Sequence, residues 1–255
     1  MLVLLPPSET KRDGGDDRAL DLSRLSYQGL TGSRVAALAA TSALALDPDA
    51  MAAALRLGPT QRGELERNRC IAQSPVMAAM DRYTGVLYDA LDAATLSPGA
   101  RSLAKSSVVI HSALFGLLGA GDSIPAYRLS HDSRLPGLKL RSLWSASIGA
   151  ELERHDGLIL DLRSEAYVAL GPVPDRAESY FLRVVAAGVD GQKRALNHFN
   201  KKGKGEFLRA LLEAGQDHAD SASLIEWAQS CGIRLALGAP GELELEVEQV
   251  VAAKR

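Results

Sequence analysis

The sequence predicts a mixed α/β fold of the α+β kind, a single compact domain over residues 1–255 with a mixed sheet surrounded by helices. Of the 255 residues, 46% are apolar and 24% are charged, which is typical of a globular chain able to bury a core. Short apolar runs typical of strands are scattered among segments with helical spacing. No regular βαβ alternation is visible, which argues against a plain doubly wound fold, and no Pro/Ser-rich linker divides the chain.

The first half of the chain is mostly helical, with two predicted strands. Residues 1–5 predict a buried strand, because a short apolar run ends at two prolines. After a polar segment, Thr31 is a candidate cap for the first helix. Helices are predicted over residues 31–45, 48–58 and 60–72, and shorter ones over 76–104 with breaks at Gly85 and Pro98. A second strand is predicted over residues 108–110, and a long turn-rich segment spans residues 116–136.

The second half alternates strands and helices less regularly. Helices are predicted over residues 143–152, 207–214 and 223–230, and strands over 158–160, 181–187, 194–199, 235–237 and 243–247. In the last of these strands apolar side chains alternate with glutamates. That alternation indicates one dry and one wet face, and therefore an antiparallel or edge strand.

Net charge, cysteines and histidines exclude several classes of protein. The net charge is −2, which excludes a uniformly basic nucleic-acid coat protein but not a local basic patch. Cys70 and Cys231 form no CxxC motif, so we predict no disulfide framework or zinc finger, and partly buried, inert thiols. Arg67 and Arg69 would lower the pKa of the Cys70 thiol if they lay beside it. The widely spaced histidines and the absence of nucleotide-binding motifs predict no metal and no cofactor.

The sequence also predicts a cytoplasmic protein with no membrane partner. The apolar run at residues 1–5 is too short for a signal-peptide core, and no basic residue precedes it. No stretch approaches the ~18 apolar residues of a membrane span.

The clearest charge signal lies in residues 193–204, which contain no acidic side chain. The cations are Lys193, Arg194, Lys201, Lys202 and Lys204. Gly203 and Gly205 stand among them, just before an apparent helix. Two interpretations stay open, a solvated basic loop and an anion site in which lysines neutralise phosphate.

Two further polar clusters follow predicted elements. Asp161, Arg163, Ser164 and Tyr167 come directly after a predicted buried strand, where ligand-binding groups are common. Asp161 and Arg163 are slightly favoured as a structural ion pair instead. The Tyr127–Arg128 pair could stack on a base and grip a phosphate, or Tyr127 could anchor a loop through its hydroxyl. Tyr83 is a similar candidate anchor, and His111 beside a strand is favoured as a core histidine.

Several motifs follow one another along the chain. They are LLPPSETK at residues 4–11, RYTG at 82–85 with LY at 87–88, SALFGLL at 112–118 with Asp122, IP at 124–125 and YRL at 127–129, LW at 143–144, DLRS at 161–164 with Tyr167, and FNKKGKG at 199–205. Taken in this order, they resemble the YaaA family of bacterial peroxide stress proteins. The resemblance covers nearly the whole chain. It departs where relatives commonly carry lysine and this chain carries Glu9, with Lys11 close by. The sequence departs from the family pattern again before Asp122, where Ala120 and Gly121 stand and the arginine common in relatives is missing. It also departs at Ser130 and His131, directly after the YRL motif.

The resemblance implies a cytosolic α/β protein with an unusual fold that lowers free intracellular iron during hydrogen peroxide stress. It also implies duplex DNA binding through a basic cleft and a helix-hairpin-helix-like element. The hairpin would fall at residues 52–66, around Gly58, although a plain helix corner fits that turn better. The Lys201–Lys202 segment matches the basic position of the family.

Two function hypotheses follow. In the first, a non-enzymatic protein binds duplex DNA without sequence preference, through phosphate contacts of Arg128, Lys201, Lys202 and Lys204, with Lys193 and Arg194 beside them. In the second, an enzyme acts on a nucleotide or another phosphorylated small molecule, with Glu9 or Asp161 as general base. The further cleft candidates are Ser8, Lys11, Tyr83, Tyr127, Arg163, Ser164, Tyr167 and Asn200. One deep cleft would favour the enzyme and a broad basic groove would favour DNA, whereas direct iron binding lacks a visible ligand cluster.

Overall fold

The computed structural model describes residues 1–58, 61, 63–187, 193–195 and 197–247, and it describes no side chains for residues 187 and 193–199. The strands are β1 (Leu2–Leu5), β2 (Met77–Ala78), β3 (Val108–Ser112), β4 (Gly116–Gly119), β5 (Ser123–Ile124), β6 (Ile159–Asp161), β7 (Ser179–Ala187), β8 (Lys193–Ala195), β9 (Leu235–Leu237) and β10 (Glu242–Val247). Strands β2 and β5 form a small separate ribbon. The predicted turn-rich segment at 116–136 therefore contains two short strands.

The helices surround the main sheet. They are α1 (Thr31–Leu44), α2 (Pro48–Ala54), α3 (Glu64–Arg69), α4 (Ala79–Arg82), α5 (Val86–Leu91), α6 (Pro98–Ser107), α7 (Leu140–Glu153), α8 (Glu165–Leu170), α9 (Asn197–Ala214) and α10 (Ser221–Ser230). Short 3₁₀ turns occupy Leu22–Arg24, Gln28–Leu30 and Ala93–Thr95. The mixed α/β fold class predicted from the sequence is confirmed.

The main sheet is mixed, with a parallel centre. Its strand order is β4-β3-β1-β6-β7-β10-β9, and β8 pairs with β7 outside that path. Strands β3, β1, β6, β7 and β10 run parallel, whereas β4, β8 and β9 pair antiparallel with their neighbours. The central strands read as apolar runs because helices cover both faces of a parallel sheet, and Val3, Leu4 and Leu5 have no exposed surface.

Of the two alternatives predicted for the last strand, the antiparallel one is confirmed by its pairing with β9 and the edge position is wrong. β10 does not form the edge, because it lies between β7 and β9. It pairs parallel with β7 and antiparallel with β9. The alternation of glutamate and apolar residues therefore reflects a sheet covered on one face, and not an unpaired edge.

Helix α9 corrects a second prediction. The expected strand over 194–199 is only the three-residue β8, and the expected glycine loop before residue 207 is helical from Asn197. The two glycines permit close packing, because a Cβ on Gly205 would lie 2.2 Å from the Leu87 carbonyl oxygen of α5. A Cβ on Gly203 would lie 3.0 Å from Val247. These glycines therefore do not form an anion-binding loop.

The strand order creates a crevice at the carboxyl ends of β1 and β6. From β1 the chain continues to β3 on one side, and later returns to place β6 on the other side. Strand order reverses at this point, and open α/β sheets bind ligands in the crevice outside such a reversal. Polar residues that follow β1 and β6 are thereby brought to one place.

Candidate functional site

A cavity of about 660 Å³ opens at the carboxyl ends of β1 and β6, and we call it the strand-end cavity. Five separate parts of the chain line it, within residues 6–10, 84–88, 129–131, 162–167 and 200–204. Its volume lies within the ~300–1,000 Å³ of small-molecule sites. Several predicted site residues meet here and line the cavity, namely Ser8, Glu9, Ser164, Tyr167, Asn200, Lys201 and Lys204.

Helix α9 divides the basic cluster between the cavity and the outer surface. Lys201 and Lys204 line the strand-end cavity. Lys202 does not line it, and its ammonium lies 3.4 Å from Glu206 on the exposed side of the helix. The side chains of Lys193 and Arg194 lie outside the part of the chain that the structure describes.

Lys204 is the buried cation of the cavity. Only 4% of the residue is exposed. Its Nζ donates one long hydrogen bond of 3.4 Å to the Arg163 carbonyl oxygen and lies 4.8 Å from the centre of the Phe181 ring. Burial lowers the pKa of Lys204 to about 8, although Asp161 opposes that shift. The Lys204 ammonium therefore has few hydrogen-bond partners among the described residues, and it loses its proton at lower pH than an exposed lysine does.

Asn200 adds a second underused polar group. It lies one turn before Lys204 on α9 and lines the cavity. Its Oδ1 is buried, and no described residue donates a hydrogen bond to it. Buried polar atoms are rarely left in this way, so the amide has capacity for a ligand or for water.

Glu9 and Arg128 form an ion pair at the rim of the cavity. Nη2 of Arg128 donates to Oε2 of Glu9 at 2.5 Å, and the guanidinium is largely buried whereas the carboxylate is exposed. Asn68 bonds both the backbone N–H and the carbonyl of Arg128. The predicted phosphate-binding arginine is therefore already paired with a carboxylate.

Lys11 lies behind the cavity wall and does not line it. Its Nζ donates to the carbonyl oxygens of Ser8 at 2.9 Å and Glu9 at 3.3 Å, and sits 4.1 Å from the centre of the Tyr127 ring. Burial, and secondarily the charge of Arg128, lowers the pKa of Lys11 to about 7. Lys11 thus holds the segment that carries Ser8 and Glu9 against the body of the protein.

Tyr83 and Tyr127 also stand behind the wall, in a chain of buried hydroxyls. The Tyr83 and Tyr127 oxygens are 2.7 Å apart, and the Tyr127 oxygen is 2.6 Å from the Ser112 oxygen. Ser112 in turn accepts the N–H groups of Leu114 and Phe115. Burial raises the pKa of Tyr127 to about 12. Of the two interpretations of Tyr127, the structure matches the loop anchor.

Asp161 and Arg163 form the structural ion pair that the sequence slightly favours. Oδ1 of Asp161 accepts from Nε of Arg163 at 2.8 Å, and Oδ2 accepts from Nη2 at 2.6 Å, with both side chains buried. Nη1 of Arg163 bonds the Gly171 carbonyl and Nδ1 of His111. His111 is the expected core histidine, although its Nε2 has no partner among the described residues. This pair fixes the Arg163 carbonyl to which Lys204 donates.

Sequence reasoning missed several residues that line the cavity. Thr84 and Tyr88 follow the predicted Tyr83, and Ser130 and His131 follow the predicted Arg128. The Tyr88 hydroxyl donates to the Pro6 carbonyl at 2.7 Å and thereby shapes the wall. The signal available in the sequence was proximity to motif residues, because a segment that supplies one lining residue often supplies its neighbours.

The prediction of partly buried thiols is confirmed for Cys70 and wrong for Cys231. Cys70 is half-buried and Cys231 is exposed, and both are free. Sγ of Cys70 donates to Oε1 of Glu66 at 3.1 Å, and this bond raises the pKa of the Cys70 thiol. Arg69 acts in the other direction and is outweighed. Glu66 therefore reverses the effect expected from the arginines near Cys70.

Other predictions concern metals, membranes and the hairpin. Among the described residues, no group of three or more His, Cys, Asp or Glu side chains could hold a metal ion. In the same part of the chain, no helix is long and apolar enough to cross a membrane. The predicted hairpin at 52–66 corresponds to the end of α2, the start of α3 and a connection that lies partly outside the described residues.

Together, a parallel-centred sheet and a lysine-lined cavity at its topological switch point define an α/β protein with a candidate ligand site. A family model described as peroxide stress protein YaaA matches residues 1–229, and the chain belongs to that family. A UPF0246 protein of Corynebacterium glutamicum is 40% identical over 238 residues, which cover 91% of this chain and 94% of the relative. A UPF0246 protein of Streptomyces coelicolor is 38% identical over 250 residues, 95% of this chain and 94% of the relative. The resemblance noted in the sequence is thus confirmed.

Proposed function

We propose that this protein acts in the peroxide stress response by binding a phosphorylated small molecule, such as a nucleotide, in the strand-end cavity. The observation that carries the proposal is the convergence of five chain segments on one cavity that contains the buried Lys204. A cluster of polar groups drawn from distant segments is typical of a binding or active site. The family description supports the physiological setting.

The charges of the cavity favour an anionic ligand. Lys201 and Lys204 supply positive charge, and the side chain of Asp161 is satisfied by Arg163. Glu9 is a negative group at the rim, but its Oε2 is bound by Arg128. Glu9 remains the candidate general base, since it lines the cavity, whereas Asp161 is held in a buried pair.

The test is a thermal-shift panel of inorganic phosphate, pyrophosphate, nucleoside phosphates and sugar phosphates. A ligand that binds the native state raises the melting temperature in proportion to the logarithm of its concentration. We expect at least one phosphorylated compound to stabilise the wild type, and Lys204→Met to remove that effect. Lys202→Met is the matched control, because Lys202 lies on the same helix but outside the cavity. Absence of any shift across the panel would contradict the proposal.

A second candidate is sequence-independent binding of duplex DNA, which the family resemblance implies. Lys201 and Lys202 are adjacent and exposed on α9, where both could reach phosphates. Arg128 and Lys204 are less suited, because the first is paired with Glu9 and the second is buried. Fluorescence anisotropy of a random duplex across a salt series tests this candidate. It predicts a steep negative salt slope and weaker binding for the Lys201→Glu/Lys202→Glu double variant.

The lowering of free iron during peroxide stress is also proposed from the resemblance. We expect it to depend on the strand-end cavity, so Lys204→Met should impair it and Lys202→Met should not. The measurement is free iron in peroxide-treated cells that lack their own family member and produce each variant. Equal free-iron levels in cells that produce the wild type and Lys204→Met would contradict this expectation, because the lowering of iron would then not depend on the strand-end cavity.

A further inference from the structure

We propose that Lys204 is a nucleophile that forms a reversible imine with the carbonyl carbon of a small phosphorylated aldehyde or ketone in the strand-end cavity. The proposal rests on the proposed function and deepens it, because it names the class of phosphorylated ligand. It follows from where Lys204 lies, from what surrounds its amine, and from the position of Lys201.

The amine of Lys204 is placed for reaction with a ligand. Lys204 is 4% exposed, and it lines the strand-end cavity. Among the described residues, its amine makes one long hydrogen bond to the Arg163 carbonyl and lies over the face of the Phe181 ring. A lysine kept only for charge would gain more from a carboxylate partner, whereas a nucleophile needs an unshared electron pair.

The charged groups around Lys204 do not neutralise it by close pairing. Asp161 at the end of β6 is already bonded twice by the side chain of Arg163. Glu165 on α8 and Arg183 on β7 act on Lys204 with opposite signs. Burial dominates and lowers the pKa of Lys204 to about 8, so the neutral amine forms at lower pH than in an ordinary lysine. Buried lysines of this kind are suited to imine formation.

Lys201 provides the position for the phosphate. It lies three residues before Lys204 on α9, a spacing that places both side chains on one helix face. Lys201 is exposed and lines the cavity, and Lys204 lies deeper. Pro6, Pro7 and Leu162 contribute apolar wall to the same cavity. A ligand with its carbonyl at Lys204, a short carbon chain along the wall and its phosphate at Lys201 fits this arrangement.

The step balances without an oxidant or reductant. The neutral Lys204 nitrogen forms a bond to the carbonyl carbon, and the carbon–oxygen double bond becomes a single bond. The carbon–oxygen single bond then breaks, and the carbonyl oxygen leaves as water with the two hydrogens of the amine. A carbon–nitrogen double bond remains, and water reverses the step.

The experiment uses pyridoxal 5′-phosphate as a probe that carries both an aldehyde and a phosphate. The full chain is incubated with substoichiometric probe near pH 8, the imine is reduced with borohydride, and the modified lysine is located by peptide mass spectrometry. We expect label at Lys204 at least tenfold above any exposed lysine. Excess inorganic phosphate should reduce the label, and pyridoxal without phosphate should label Lys204 at least tenfold more slowly.

Variants separate imine formation from folding and from phosphate binding. Lys204→Met should abolish the preferential labelling of the cavity, and Lys202→Met should leave the labelling of Lys204 unchanged. Melting curves show whether both variants fold. Lys204→Arg keeps the charge without a nucleophilic amine, so it should still be stabilised by phosphate and should not be labelled. Label spread evenly over surface lysines would overturn the proposal. If phosphate still stabilises the protein in that case, the proposed function stands, and if phosphate has no effect, both fail.

Discussion

At the residue scale, the protein keeps two lysines in surroundings that disfavour their charge. Lys11 is buried under the rings of Tyr83 and Tyr127, and Lys204 is buried in the cavity. Burial lowers the pKa of Lys11 to about 7 and that of Lys204 to about 8. Such groups cost stability wherever they are forced to carry a proton, and they are common at functional sites.

The pH dependence of stability follows from these two lysines. Between pH 7 and pH 9 the unfolded chain holds its lysines protonated, while the native state loses the proton of Lys11 and then of Lys204. The unfolded state therefore binds more protons, and the free energy of unfolding rises with pH by up to about 1.4 kcal/mol per pH unit for each group. The rise begins about one pH unit below the pKa of Lys11, and at lower pH both states are protonated and this contribution is flat.

Lys11→Met should reduce that rise, because it removes one of the two shifted groups. The measurement is urea unfolding at pH 7, 8 and 9, with Lys202→Met as control since Lys202 is exposed. A slope as steep in Lys11→Met as in the wild type would show that Lys11 does not titrate in this range.

The buried pair of Asp161 and Arg163 supports a second prediction at this scale. Asp161→Asn leaves the buried guanidinium without its countercharge and should cost about 3–5 kcal/mol of unfolding free energy. Asp16→Asn is the control, because Asp16 pairs with Arg18 where both side chains are mostly exposed, and it should cost less than about 1 kcal/mol. Urea unfolding measures both. Equal small losses would mean that the buried pair contributes no more than a surface one.

At the element scale, α9 joins the site to the rest of the protein. Its inner face packs closely against α5, while Asn200, Lys201 and Lys204 on the same helix line the cavity. The sequence signal here was mixed, because glycines within a basic run are typical of loops. Close contact between helices also requires small residues. A single sequence cannot show whether a glycine marks a loop or a close helix contact. This is why the cluster was found from the sequence and its helical structure was not.

Gly205→Ala tests the packing of α9. The new Cβ would lie 2.2 Å from the Leu87 carbonyl oxygen and 2.8 Å from the Ala90 Cβ, so the helices must separate. We expect a loss of about 3 kcal/mol, at the upper end of overpacking costs. Gly99→Ala on α6 is matched chemically, meets nothing within 4 Å, and should be neutral or stabilise by up to about 1 kcal/mol. Thermal unfolding that shows equal effects of the two variants would contradict this account of α9.

At the scale of the whole molecule, strand order decides where the site lies. The sequence predicts most elements because apolar runs and helix signals are local. It predicts that Ser8, Ser164 and Lys204 belong to a site, because each follows a strand or lies in a charged run. It does not reveal that Lys11, Tyr83 and Tyr127 stand behind the cavity wall, since which side of a wall a residue faces depends on the packing of distant segments.

The distribution of cations over the molecule distinguishes the two candidate ligands. A duplex needs an extended row of exposed cations, whereas a phosphorylated small molecule needs a few groups that converge. The described cations that line the cavity are Lys201 and Lys204, and Lys202 is turned to the outer surface. This arrangement favours the small ligand. It predicts that removing the Lys202 side chain does not change the affinity for a small phosphorylated compound.

The most direct measurement is isothermal titration calorimetry of pyrophosphate with wild type, Lys204→Met and Lys202→Met at low salt. The account predicts one site per chain, affinity at least tenfold lower for Lys204→Met, and wild-type affinity for Lys202→Met. No binding to the wild type would contradict it. Equal weakening by both variants would also contradict it, because the anion would then be held on the outer surface of α9 and not in the strand-end cavity.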